Sequence, residues 1–379
     1  MSLSVRVLSS LKEISAEDWN RCAASTCEPY NPFTSHAFLL ALEQSGSATA
    51  RTGWAGQHMV IERDGNILGV APCYLKSHSM GEYVFDHAWA DAYARAGGHY
   101  YPKLQVSVPF TPATGPRLLA ADHEHRTLLE QSLMALCQKQ KASSVHITFA
   151  TDTEASESSW LHRNDLQFHW INEDYKTFDD FLAVLSSAKR KNLRKERKIV
   201  ADSGISFELL TGEALQPKHW DSFYAFYLDT GSRKWGQPYL TRKFFSLIHD
   251  TMKTDILLIL AKRNGKNIAG ALNFIGGDTL YGRNWGCIET HPCLHFETCY
   301  YQAIDFAIAC GLKRVEAGAQ GEHKLARGYV PVKTHSLHYL AHPGLSRAVG
   351  DYLEQERRAI EENQQELAEH TPFRYEERE

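Results

Sequence analysis

The chain has 379 residues, and at about 150 residues per domain this predicts two domains rather than one. Hydrophobic residues make up 43% and charged residues 23%, with a net charge of -4, which excludes a fibrous or disordered chain and gives no bulk charge for binding DNA. No run of about 18 apolar residues occurs, so no integral membrane segment is expected. The start, Met1-Ser-Leu-Ser-Val-Arg6, lacks the basic-then-apolar pattern of a secretory signal, so a cytoplasmic protein is expected.

In chain order, Pro32 to Leu39 opens a helix. Met59 to Pro72 then reads as two apolar runs joined through Arg63-Asp-Gly65. Asp-Gly between apolar runs predicts a tight hairpin, because both central residues need positive φ. Gly69 in the return strand marks a bulge or a close backbone approach. Asp86 to Pro116 is rich in Asp, His, Trp, Tyr, Gly and Pro and shows little helical periodicity; it is expected to be a long functional loop, with Asp86, Tyr93, Tyr100, Tyr101 and Lys103 as candidate acceptor contacts, or equally a long hairpin with a packed aromatic cluster. Arg126 to Lys141 follows as a helix and Ser144 to Phe149 as a strand.

A polar stretch from Thr151 marks a boundary, placed at residue 165. Thr177 with Asp180 has the capping-box spacing, and Phe178, Phe181, Leu182 and Leu185 form an apolar stripe. Lys189 to Lys198 then holds seven basic residues and one acid. Arg190, Arg194 and Arg197 fall on one helical face, suited to bidentate phosphate contacts, or equally form a solvated charged face. Pro238 to Phe245 opens another helix. Leu258 to Leu272 repeats the hairpin through Arg263-Asn-Gly265, with Gly270 in its return strand. Phe296 to Cys310 is a helix and Lys313 to Ala317 a strand.

Helix, hairpin, helix and strand therefore recur in the same order about one domain length apart, which predicts a duplication. The fold class expected is mixed α+β, each half an antiparallel or mixed sheet flanked by helices, over residues 1–165 and 166–350. The tail 351–379, with ten acidic and four basic residues, is expected to be a solvated helix without chemistry. The eight cysteines are too few for a disulfide scaffold. Cys287, His291, Cys293, His295 and Cys299 match no standard zinc spacing, so no metal is expected.

Several stretches carry a family resemblance. They are Ser187-Ala-Lys-Arg-Lys-Asn-Leu-Arg-Lys-Glu-Arg197, Arg233-Lys-Trp-Gly-Gln-Pro-Tyr-Leu240, Gly282-Arg-Asn-Trp-Gly286, His295-Phe-Glu297, Glu316-Ala-Gly-Ala-Gln-Gly-Glu-His-Lys-Leu-Ala-Arg-Gly-Tyr329, Asp86-His-Ala-Trp-Ala-Asp91 and Pro109-Phe-Thr-Pro112. Over most of its length the chain resembles the FemAB-like N-acyltransferases, built from two tandem GNAT-like domains. The resemblance implies an enzyme that transfers an acyl or aminoacyl group from acyl-CoA or aminoacyl-tRNA to an amine on an amino acid, a peptide or a peptidoglycan precursor. It implies no permanently bound cofactor, a second domain that carries the chemistry, and a first that is a degenerate copy helping to bind the acceptor. The long coiled-coil insertion used around tRNA is absent, as is a Gln/Arg-x-x-Gly-x-Gly/Ala pyrophosphate loop, so the donor stays open. The rival is a non-catalytic binding protein on the same fold, recognising a peptidoglycan precursor or RNA.

Amide formation needs a proton acceptor and a stabilised carbonyl oxygen. Glu316, followed by small residues, is the first candidate base, with Glu322 and His323 as alternatives. Lys324 and Arg327 are expected to hold anionic groups, beside Gln320. Arg190 and Arg194 are the preferred phosphate contacts. Trp235, Arg283, Trp285 and Glu297 complete the expected substrate contacts.

Overall fold

A computed structural model describes residues 3–234, 238–318 and 321–374, leaving aside the side chains of 232–234 and 322. The chain divides into two compact units, residues 1–166 with 333–362, and 167–332 with 363–379.

The first unit opens with β1 (Leu3–Leu8), α1 (Ala16–Ala24) and α2 (His36–Gln44), then β2 (Trp54–Gly56), β3 (His58–Arg63), β4 (Asn66–Ala71) and β5 (Cys73–Lys76). It continues through α3 (His87–Arg95), β6 (Lys103–Val106), β7 (Leu119–Ala120), α4 (His123–Lys139), β8 (Ser144–Ala150) and α5 (Asp152–Glu157) to β9 (Leu161–Ile171). The second unit holds α6 (Phe178–Val184), α7 (Ser187–Asp202), β10 (Ile205–Leu210), α8 (Pro217–Lys234), α9 (Arg242–Met252), β11 (Ile256–Arg263), β12 (Lys266–Gly276) and β13 (Thr279–Cys287). Then come α10 (Leu294–Phe296), a π-turn at Glu297–Tyr301, α11 (Gln302–Ala309) and β14 (Arg314–Glu316), while β15 (Val330–Leu340) and α12 (Pro343–Glu369) belong mostly to the first unit and β9 passes into the second at Gln167.

In the first unit β1, β3, β4 and β7 form one antiparallel sheet. A second set runs β15, β8, β6, β5, β2, with only β6 and β8 parallel. In the second unit the order is β10, β11, β12, β13, β14, β9, with only β13 and β14 parallel. Parallel neighbours need a crossover, and a helix supplies it in both cases: α4 between β6 and β8, and the α10–α11 segment between β13 and β14.

The duplication is visible at residue level. Asp64 and Gly65 sit at φ 51° and 82°, and Asn264 and Gly265 at φ 50° and 75°, the two left-handed residues of a tight hairpin turn. Past each turn the register slips once: Ile61 faces Gly69 while Glu62 faces Ile67, and Ala261 faces Ala269 while Lys262 faces Asn267. The extra residue is thus Leu68 in one unit and Ile268 in the other, at the same distance from the turn. Expected and observed helices agree in order. The α6 cap is Thr177 with Asp180, but the stripe and the basic run belong to separate helices, because the backbone is extended at Leu185.

Two expectations change. Residues 87–95 form α3 rather than loop; only Trp89 on it is buried, so its sequence carries no apolar stripe to announce it. Residues 333–350, expected in the second half, and 351–362, expected in the separate tail, cluster with the first unit. There β15 pairs with β8, and Leu345, Val349 and Leu353 of α12 pack with Trp89 and Tyr100. The start of the acidic tail is therefore anchored by an apolar face, while the exposed face carries its charge.

The first unit also buries charge. Lys103 is fully buried and donates to Glu82 and Asp86, while Tyr100 Oη donates to Asp86 at 2.7 Å. His146 and His338, directly opposite across β8 and β15, join ring nitrogens at 2.7 Å. Burial and then the Lys103 charge push His146 down to about 3, and burial drives His338 well below the usual imidazole value. Removing one partner of such a cluster leaves an uncompensated buried charge, so Lys103→Met is expected to cost about 3–5 kcal/mol in denaturant unfolding. Both histidines bind protons more tightly when unfolded. Stability of this unit should therefore be full above about pH 6.5 and fall from there toward pH 3, by about 1.4 kcal/mol per pH unit per histidine, as read from unfolding midpoints.

Candidate functional site

The second unit's site begins with strand geometry. β11 is apolar from Ile256 to Ala261 and buried throughout that run, as suits a strand covered on both faces. It positions β12, and β12 positions β13. β13 pairs with β14 over only three residues, Thr279 to Tyr281 against Arg314 to Glu316. Beyond them β13 continues to Cys287 along β12, while β14 ends. At the parting the β12–β13 register also slips: Asn273 faces Gly282 and Leu272 faces Asn284, so Arg283 is the extra residue of a bulge. A Cβ on Gly282 would stand 3.2 Å from the Glu316 carbonyl, so the two chains are in near contact just before they diverge.

The opening is a cavity of about 490 Å³, within the usual range for small-molecule sites. Asn273, Arg283, Trp285, His295, Tyr300 and His323 are among its walls, with Cys299. The π-turn carries Cys299 and Tyr300, and extra-residue helical turns of this kind frequently occur at functional sites. His295 stands edge-on to Trp285 at 5.3 Å and to Tyr300 at 5.4 Å. Tyr300 Oη and His323 Nε2 share a hydrogen bond of 2.9 Å. Burial, then the Arg327 and Lys324 charges, hold His323 below the usual imidazole range, so it is neutral at pH 7. Burial raises the Tyr300 phenol, which keeps its proton.

The expected residues distribute unevenly. Arg283, Trp285 and His323 line the cavity. Glu316 lies at the end of β14, 5% exposed, with Oε2 3.9 Å from His169 Nε2. Burial presses His169 down to about 3, so that histidine is uncharged. Lys324 is 1% exposed and donates to the Gly318 carbonyl at 2.8 Å; burial lowers it to about 8. Arg327 lies 3.4 Å over the Phe296 ring and donates to Glu196 at 2.8 Å and to the His323 carbonyl at 2.7 Å. Both cations thus serve contacts inside the unit. Glu297 is 3% exposed and accepts from Arg197 and Gln302; burial raises its carboxyl although Arg197 opposes the shift.

On α7, Arg190 donates to the Leu185 carbonyl and Arg194 reaches the exposed Asp179 at 2.8 Å. Arg197 is held by Glu297 and Asp305. Lys191, Lys195 and Lys198 stay exposed. Asp86 and Tyr101 belong to the first unit, where Asp86 is committed to Lys103 and Tyr100, and Tyr101 Oη meets Ser79 Oγ at 2.8 Å. Trp235 and Gln320, and the side chain of Glu322, lie outside the described residues.

Asn273, His295, Cys299 and Tyr300 were not singled out as substrate contacts from sequence. Their signal was faint: His295 and Cys299 stood in the cysteine and histidine cluster, where they resembled failed metal ligands. His291 of that cluster contacts Glu289 at 2.9 Å. Among the described residues no group of three or more His, Cys, Asp or Glu is placed to hold a metal ion.

The FemAB-like family model, described as peptidoglycan biosynthesis/recognition, matches residues 10–375. No curated protein matches the sequence. Among solved structures, FemX aligns with 12% identity over 92% of this chain and 100% of its own, at a TM-score of 0.56. L-PGS from Bacillus licheniformis aligns with 11% identity over 86% and 98%, at 0.50. A tandem GNAT protein from the clavulanic acid biosynthesis pathway aligns with 12% identity over 90% and 99%, at 0.47, too low to carry weight. At such identities the first two speak to the fold alone, and they agree with the tandem α+β architecture.

Gly321 lets the His323 ring sit where it does. It has φ 116°, and a Cβ there would stand 2.3 Å from His323 Cε1. Gly321→Ala should swing the ring away from Tyr300, moving the His323 carbon resonances and their titration midpoint in NMR while the protein stays folded.

Proposed function

The chain belongs to the FemAB-like family, described as peptidoglycan biosynthesis/recognition, and on that premise we propose that it is an N-acyltransferase, moving an acyl or aminoacyl group to an amine on a peptide or peptidoglycan-precursor acceptor. The observation that carries this reading is the cavity at the parting of β13 and β14, with the Tyr300–His323 hydrogen bond on its wall.

In this reading the donor's carbonyl lies along β13 past Tyr281, where β14 has ended, at the Arg283 bulge. Arg283, which lines the cavity, receives the negative charge that grows on the carbonyl oxygen. The acceptor nitrogen attacks the carbonyl carbon. A C–N bond forms, and the bond to the donor's sulfur or oxygen breaks. His323 takes the amine proton on Nδ1, its Nε2–H donating to Tyr300 Oη, and the imidazolium then gives a proton to the leaving thiolate or alkoxide. His323 replaces Glu316 as the preferred base because its ring lines the cavity, whereas Glu316 is buried on β14 beside a neutral His169. Glu316 stays buried on β14, next to Ala317, which does line the cavity. Trp285 and His295 pack against the acyl group. The exposed Lys191 and Lys195 of α7 draw in the donor's phosphates, whether of CoA or of tRNA, while Arg194 and Lys198 meet Asp179 and Asp202.

The test offers purified protein a panel of acyl-CoAs and charged tRNAs, with a nucleotide-linked muropeptide as acceptor, and reads amide formation by mass spectrometry. Formation of an amide with one donor class supports the reading; none with any pair would leave it without substrate. His323→Asn is expected to lower kcat by about 10²–10⁴-fold with KM little changed. The acid limb of the wild-type kcat/KM profile should lie below pH 6.5, since only the neutral ring accepts a proton. Glu316→Gln is expected to cost less than His323→Asn.

A further inference from the structure

The one acid in the basic run, Glu196, faces the cavity's supports rather than solvent. Its Oε2 accepts from Tyr301 Oη, and its Oε1 accepts from Arg327 Nη2 at 2.8 Å. Tyr301 is fully buried at the end of the π-turn, next to Tyr300. Arg327, 7% exposed, sends its other terminal nitrogen, Nη1, to the His323 carbonyl at 2.7 Å. The face of the same guanidinium covers Phe296 at 3.4 Å, and Phe296 stacks on Tyr300 at 6.1 Å with ring planes 18° apart. One carboxylate thus holds the π-turn on one oxygen and the 322–327 turn on the other. Those two segments supply the two partners of the Tyr300–His323 hydrogen bond.

We propose that Glu196 is a positioning residue, clamping Tyr301 and Arg327 so that Tyr300 and His323 meet in the geometry that transfers the proton. This deepens the reading above and rests on it. It also separates two roles within α7: the lysine row faces solvent, and the single glutamate faces the site. A lysine at 196 would continue the basic face but would leave the Arg327 fork without its charged acceptor, and the planar fork needs two fixed acceptors to hold His323's backbone.

The loss is expected in turnover rather than in binding. Displacing a reacting group by about 1 Å can cost about 100-fold in rate. Glu196→Gln should therefore lower kcat by about 10–100-fold with KM within about twofold, and Glu196→Asp, which keeps the charge, should recover part of that. Arg327 lies close enough to His323 to depress its proton affinity. If Glu196→Gln frees Arg327 to swing away, the His323 midpoint should rise toward 6.5, moving the acid limb of the kcat/KM profile to higher pH. The His323 resonance, assigned by its absence in His323→Asn, reads that midpoint without turnover. Should Glu196→Gln fail to fold, Tyr301→Phe removes one of the two contacts and is expected to move the same midpoint by less.

An unchanged His323 midpoint and unchanged kcat, with only the unfolding temperature lowered, would overturn the proposal and make Glu196 a structural ion pair. If instead the midpoint moves but His323→Asn leaves turnover intact, the clamp stands as geometry and the assignment of His323 as base falls.

Discussion

Three residue pairs of parallel strand, Thr279 to Tyr281 against Arg314 to Glu316, set the geometry from which the rest of the second unit's site follows. Parallel neighbours cannot be joined by a tight turn, so the chain leaves β13, forms the α10–α11 segment and returns as β14. Because the pairing is so short, the strands separate while β13 is still held by β12. The cavity is that separation. The bulge at Arg283, the π-turn at Glu297–Tyr301 and the turn at 322–327 are all arranged around it. Each departs from regular hydrogen bonding, and each does so where the backbone approaches the opening.

The first unit contains the same short parallel pairing, between Leu104 to Val106 and Val145 to Ile147. The two units then diverge at corresponding places. Glu316 faces His169 across β14 and β9, and His146 faces His338 across β8 and β15. In the second unit this pair lies just behind a cavity. In the first it is part of a closed set with Lys103, Glu82, Asp86 and Tyr100, all almost fully buried. Charges taken out of water in this way are held by one another, and they leave little reason for a ligand to enter between them. The duplicated scaffold therefore carries its polar residues in two states, one satisfied internally and one opening on a space.

The basic helix shows why charge in a sequence is a poor guide to where charge acts. Of its arginines, Arg197 lies on Phe178 and is neutralised by Glu297 and Asp305, and Arg194 meets Asp179. Its lysines remain exposed. Periodicity placed Arg190, Arg194 and Arg197 on one face, and that was sound geometry. Which face meets acids from α6, the π-turn and α11 depends on how those elements pack. The same holds for Lys324 and Arg327, which the sequence presents as a cationic loop and the fold turns inward onto Gly318, Glu196 and His323.

What the sequence by itself determined is local and repetitive. Asp64-Gly65 and Asn264-Gly265 dictate their hairpins because few residue pairs tolerate positive φ, and the recurrence of hairpin, helix and strand dictates two similar units of mixed α+β structure. The capping pair Thr177 and Asp180 likewise follows from spacing alone. Only the tertiary structure decided which polar residues share a space. His323 and Tyr300 are 23 positions apart, Glu196 and Arg327 are 131 apart, and His338 of β15 meets His146 of β8, 192 positions earlier. Side-chain patterns report which face of an element is buried, but not which partner it is buried against. A helix such as α3, with one buried residue, does not report even that. The site is made of such partnerships, so its residues were legible as types and its arrangement was not.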